Sequence, residues 1–105
     1  MNQDNHIKFE QCFIIVDRKK RSEMVALLAK YGARMVKTIY AKGSVKASVL
    51  EEIFGFAAEE NKVVLTSILP LKNAEELITA LDNEYHFDKP NTGFAFTENI
   101  EGLSF

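Results

Sequence analysis

The chain has 105 residues, 47% of them apolar and 10% aromatic, which fits one domain with a single modest core. With 13 Lys+Arg against 15 Asp+Glu, the formal net charge of -2 lacks the basic excess of a nucleic-acid-binding surface, so no nucleic-acid partner is expected. A lone cysteine, Cys12, excludes a disulfide framework within the chain.

Cys12 lies in an apolar run and reads as a small core residue, with a reactive thiol as the alternative. No run approaches the ~20 apolar residues of a membrane span. The opening MNQDNHIKFE has no apolar core of the signal-peptide kind. A cytoplasmic, not membrane-inserted protein is expected.

In chain order, QCFIIVD (11–17) is a β-branched and aromatic run that suits a strand buried on both faces. From about Arg21 the pattern turns helical, with Met24, Leu27, Leu28 and Tyr31 three and four apart and Gly32 as the stop. ARMVKTIYAK (33–42) alternates, which predicts a second strand with Arg34, Val36, Thr38, Tyr40 and Lys42 on one face. KVVLTSIL (62–69) predicts a third strand, closed by Pro70 because proline cannot donate to a ladder. Asn73 followed by Glu76 reads as a capping box ahead of the stripe Ala74, Leu77, Ile78 and Leu81. DKPNTG is a turn, and a last strand begins near Phe94.

The order βαββαβ predicts an α+β, ferredoxin-like sandwich: an antiparallel four-stranded sheet with two helices on one face. Phe, Val and Ile residues outnumber what one sheet face needs, so self-association through the other face is expected. Between the second and third strands lies AKGSVKASVLEEIFGFAAEENKVV, too apolar for an idle linker. Ser48 and Glu51 form an S-x-x-E capping box before Ile53, so a short helical turn would place Val49, Ile53 and Phe56 on one face. Those residues and Phe54 are candidates for a partner-docking surface. The alternative is that they pack back on the assembly or extend a strand near FGF.

The runs GARMVKTIYAKGS, IFGF, AAEENKVVLTSILP and NTGFAFTENIEGL together resemble the P-II nitrogen regulatory family, nearest to its divergent P-II-like members. The likeness extends from Phe13 to Leu103. It implies a single domain over residues 1–105 that forms a homotrimer, signals rather than catalyses, and binds adenine nucleotides between subunits. It also implies that 43–60 is a T-loop docking onto a regulatory target such as a membrane transporter. Carried over residue by residue, the ligand-binding set is Lys37, Thr38, Lys42, Gly43, Ser44, Lys89, Asn91, Thr92 and Gly93. Gly43 and Gly93 stand where glycines of the family let backbone amides face phosphate, a role served by positive φ and close approach.

The chain departs from the family at three places. Phe94 stands where a basic residue follows the glycine, Asn91 replaces an earlier glycine, and ENIEGLSF carries no terminal arginine. A triphosphate needs several charge-assisted donors, so a less charged nucleotide such as AMP or ADP is expected ahead of ATP, with another small ligand or no ligand as the alternatives. The 43–60 segment has no tyrosine to modify. RKKR at 18–21 reads as a solvated turn, with contact to phosphate or an acidic lipid surface as the alternative. His6 and His86 lack ligand-spaced neighbours, so no metal site is expected. No nucleophile–base pair or paired carboxylates appear, so an enzyme is not expected. A CutA-like trimeric structural or metal-tolerance protein that binds no nucleotide is the alternative reading.

Overall fold

The computed structural model describes residues 7–40, 62–89 and 92–100. Its strands are β1 (Phe9–Asp17), β2 (Arg34–Tyr40), β3 (Lys62–Pro70) and β4 (Phe94–Asn99). A 3-10 turn at Arg18–Lys20 leads into helix α1 (Arg21–Lys30), and α2 (Leu71–Glu84) follows β3 directly. The sheet order is β2-β3-β1-β4, with every neighbouring pair antiparallel. This is the ferredoxin-like arrangement: each helix carries the chain across one intervening strand, from β1 to β2 and from β3 to β4.

Strand periodicity divides the core. Cys12, Ile14 and Val16 of β1 alternate onto the helix side with Val63, Leu65 and Leu69 of β3. There they meet Met24, Leu27 and Leu28 of α1 and Ala74, Leu77 and Leu81 of α2. The intervening residues face the other way, and Ile15 and Val64, paired across β1 and β3, are also buried. Phe13 stacks on Phe96 there, ring centres 4.6 Å apart, and Phe96 meets Phe94 at 5.8 Å. β1 is therefore buried on both faces, as its unbroken apolar run requires.

α1 ends in a Schellman arrangement. Gly32 takes φ 84, Ala33 N–H donates to Leu28 O, and Gly32 N–H donates to Ala29 O, both at 3.0 Å. A side chain at Gly32 would be strained, so the stop signal has a conformational cause.

Three sequence expectations need correction. β1 starts at Phe9 rather than Gln11, and β3 includes Pro70, which stands opposite Phe9 in register. In β2, Arg34 pairs with Ile68 and Lys37 with Thr66, a three-residue step against two. The extra residue is taken up near Met35, which has φ 54 and is 84% exposed. Beyond this bulge Arg34 no longer shares a face with Val36, Thr38 and Tyr40.

The third correction concerns α2. Its N-cap is Pro70, with no side-chain cap, because the helix begins as soon as β3 ends. Leu71 N–H instead donates to Lys8 O at 2.8 Å. That early start puts Asn73 inside the first turn, where its Nδ2 donates to Tyr31 O at 2.9 Å and ties α2 to the end of α1. Substituting Asn73→Asp distinguishes the two roles, since aspartate caps as well as asparagine but has no amide donor. Urea titration is expected to show a loss of about 1 kcal/mol; an unchanged or raised midpoint would restore the capping reading.

Candidate functional site

The ends of β1 and β2 and the beginnings of β3 and β4 all lie at one end of the sheet. Tyr40 stands opposite Val63, Val63 opposite Val16, and Ile15 opposite Phe94. Residues 41–61 therefore leave and return at that end, from neighbouring strands, as does the turn that follows α2. Residues 41–61 lie outside the described residues, and with them Lys42, Gly43 and Ser44 of the expected ligand set and Val49, Ile53, Phe54 and Phe56 of the expected docking surface, as does Asn91.

The remaining candidates fall into two groups. Lys37 and Thr38 lie on β2, Lys37 exposed and Thr38 half-buried. Lys89, Thr92 and Gly93 lie in the turn before β4. β2 and β4 are the two outer strands of the described sheet, separated by β3 and β1. Three strand spacings put them about 14 Å apart. One chain does not bring the two groups together.

Sequence reasoning missed what surrounds these residues. Arg18 lies over the ring of Tyr40, 4.8 Å from its centre, linking the basic turn to the root of 41–61. Asp17 Oδ1 accepts from Lys19 N–H at 3.0 Å, and Lys20 Nζ approaches Glu23 at 4.0 Å. Arg21 Nε is buried without a hydrogen-bond partner. The four cations thus form an ordered turn rather than a loose charged loop.

Gly93 is needed for a local reason. A Cβ built there would lie 2.5 Å from Phe87 Cζ, so the Phe87 ring fills the space a side chain would take. Phe87 N–H donates to Leu81 O at 3.0 Å, and His86 before it turns the chain with φ 59. Among the described residues Gly32 is the glycine with positive φ, so Gly93 lacks the positive φ expected of it, and the group close to it is the Phe87 ring.

Compared by sequence, the chain matches no protein-family model and no curated protein. Compared by structure, it is similar to a PII-like signaling protein of Thermus thermophilus at TM-score 0.65 and 17% identity, over 90% of this chain and 87% of that one. CPII, a nitrogen regulatory PII-like protein of Thiomonas intermedia K12 bound to ADP, AMP and bicarbonate, aligns at TM-score 0.62 and 16% identity, over 89% and 92%. Arabidopsis thaliana PII bound to citrate aligns at 0.57 and 17%, over 90% and 78%. The chain has the P-II-like fold.

Within that P-II-like frame, Phe94 occupies the start of β4, 41% exposed, and its side chain offers no donor or charge to a phosphate. No described helix is long and apolar enough to cross a membrane. Cys12 plays no part in the site: it is buried in the core, and desolvation, with a smaller contribution from Glu10, pushes its thiol from 9.0 to about 12. The fold holds the proton, so the stability this thiol contributes is intact below pH 9 and is lost as pH climbs towards about 12.

Two measurements follow from this geometry. Gly93→Ala is expected to cost about 1–3 kcal/mol by forcing its methyl into the Phe87 ring, and Phe87→Leu in the same chain is expected to recover part of that loss. Equal losses in the single and double variants would show that the ring is not the obstacle. At pH 8, a disulfide reagent is expected to label Cys12 no faster than the chain unfolds; labelling that outpaces hydrogen exchange of the core would contradict the burial.

Proposed function

We propose that this chain is a P-II-like signalling protein that senses a small metabolite, an adenine nucleotide of the AMP or ADP class, between the subunits of a homotrimer. It transmits binding to a regulatory target protein, for which a membrane transporter is one candidate, through the segment at 43–60. The observation that carries this reading is that Lys37 and Thr38 lie on the outer strand β2 while Lys89, Thr92 and Gly93 lie in the turn before the other outer strand, β4. A site built from both groups must span two copies.

The apolar second face of the sheet, with Phe13, Phe94 and Phe96 in contact, supports assembly that covers it. The Thiomonas protein, bound to ADP, AMP and bicarbonate, supports the choice of ligand class. The solved neighbours give the CutA-like alternative no comparable support. ATP is the weaker candidate because Phe94 adds no charge where a γ-phosphate would need a donor. In this reading the protein acts as a sensor rather than an enzyme, as the PII-like signaling protein of Thermus thermophilus supports.

A thermal-shift series against AMP, ADP, ATP, cyclic nucleotides and bicarbonate tests the proposal, since a ligand that binds only the folded form raises the melting temperature. AMP or ADP at about 100 times Kd should add about 2.7 kcal/mol, with ATP adding no more, and light scattering should give the mass of three chains. No shift with any nucleotide would sink the sensing role, and a monomer mass at micromolar concentration would sink the shared site.

A further inference from the structure

The β4 side of the molecule carries a second feature, a concave pocket of about 170 Å³ between α2 and the start of β4. Ile78 and Leu81 of α2, Phe87 of the turn, and Phe94 and Ala95 of β4 line it, with Asp82 as its one charged lining residue. The fold fixes this shape. Leu81 is buried, and Ile78, Phe87 and Ala95 pack against the core. Phe87 is held further by its N–H donating to Leu81 O at 3.0 Å and by its ring lying along Gly93. Ile78 and Asp82 are four residues apart on α2 and share a face, which sets the carboxylate one turn along from an apolar wall.

The electrostatics of the pocket have one sign. Asp82 belongs to the last turn of α2, which contains no basic residue, so the partial negative charge of the helix C-terminus adds to that of the carboxylate. Lys89 of the following turn does not line the pocket. Among the described residues Asp82 makes no hydrogen bond or ion pair, so its charge is open to a ligand. A free carboxylate beside apolar walls suits a cationic tip on an aliphatic stem: the methylenes lie along the walls while the cation meets Asp82. Size narrows the class further. An apolar cavity of about 150 Å³ is enough for benzene, so this pocket has room for an ammonium group and about five carbons.

We infer that this pocket binds a small alkylammonium ion, with the ammonium at Asp82 and the chain against Ile78, Leu81, Phe87 and Ala95. The site is built within one chain, so it needs neither the proposed trimer nor a nucleotide. It is nonetheless joined to the expected ligand turn. Phe87 forms one wall and also fills the Cβ direction at Gly93, so an occupant that holds the Phe87 ring also steadies the turn carrying Lys89, Thr92 and Gly93. Charge selects the protonated amine over an alcohol of the same shape, and repulsion by Asp82 rejects a carboxylate.

A chemical-shift titration of the whole, isotope-labelled chain with n-alkylammonium chlorides tests the site. n-Butylammonium is expected to bind with a Kd on the order of 1 mM and to shift signals of Ile78, Asp82, Phe87 and Gly93 first. Each methylene added from ethyl to pentyl should tighten binding about threefold. Asp82 is exposed, so Asp82→Asn should melt as the parent chain does. That variant should bind butylammonium about three- to tenfold more weakly while leaving 1-butanol unchanged. No saturable shift at these residues up to about a hundredfold the expected Kd would overturn the site. So would equal affinity for ammonium and alcohol, or an Asp82→Asn variant that binds butylammonium as the parent does. Nα-acetyl-lysine methylamide presents the same ammonium on a peptide backbone; tighter binding of it than of butylammonium would overturn the free amine in favour of a lysine side chain from a partner.

Discussion

The central position of β1 governs the rest of the molecule. It hydrogen-bonds to β3 on one side and β4 on the other, and Ile14, Ile15 and Val16 are buried against opposite faces of the sheet. Three consecutive large apolar residues can be buried only in a strand that is covered on both faces, because neighbouring side chains point opposite ways. With β1 inside, each helical crossover has to pass over one strand, which leaves β2 and β4 outermost among the described strands. The separation of Lys37 from Gly93 is thus a consequence of where the apolar triplet must sit, before any consideration of ligand.

Two kinds of force then act at different places. The second sheet face, with Phe13 stacked on Phe96, offers burial that is strong but has little directional preference. It favours association without deciding how copies are turned relative to one another. The charged groups are fewer and weaker in water, yet they stand at defined points: Arg18, Lys19 and Lys20 in the turn that follows β1, with Arg18 over Tyr40 of β2, and Asp82 near the start of β4. Complementary charge of this kind contributes more to orientation and rejection of wrong arrangements than to affinity.

What could be read in the sequence was whatever depends on local periodicity. Ile14 to Val16, the β3 run and the Leu77–Leu81 stripe each carry their period in adjacent residues, so strands, helix and fold class followed from them. Asn73 was misread because the motif says where a cap is favourable, not where the preceding strand ends, and β3 runs into Pro70. The bulge at Met35 left no trace, since methionine has no preference for the left-handed region it occupies. Phe87 against Gly93, Arg18 over Tyr40 and the Asp82 pocket all join residues that meet only once the helices are packed. The expected docking residues at 49–56 stand outside the described structure, so the loop reading rests on the sequence and the resemblance.

The turn before β4 shows how a borrowed motif can change its use. The resemblance assigns Gly93 to close backbone approach by a phosphate, whereas the structure shows a close approach from within the chain. Here the approaching group is the Phe87 ring, which fills the Cβ direction and leaves a ligand only the remaining faces of the peptide. Lys89 is the one lysine or arginine between Leu81 and Ile100, and the residue after the glycine is Phe94. A turn with one cation and two aromatic rings stabilises a flat, lightly charged group better than a run of phosphates, since stacking is tolerant of charge and phosphate binding is not. If a nucleotide binds at this turn in the assembly proposed above, the chemistry on this side favours recognition of its base and sugar, and most of the phosphate's charge would have to be met by another copy, for which Lys37 on the outer strand β2 is the candidate.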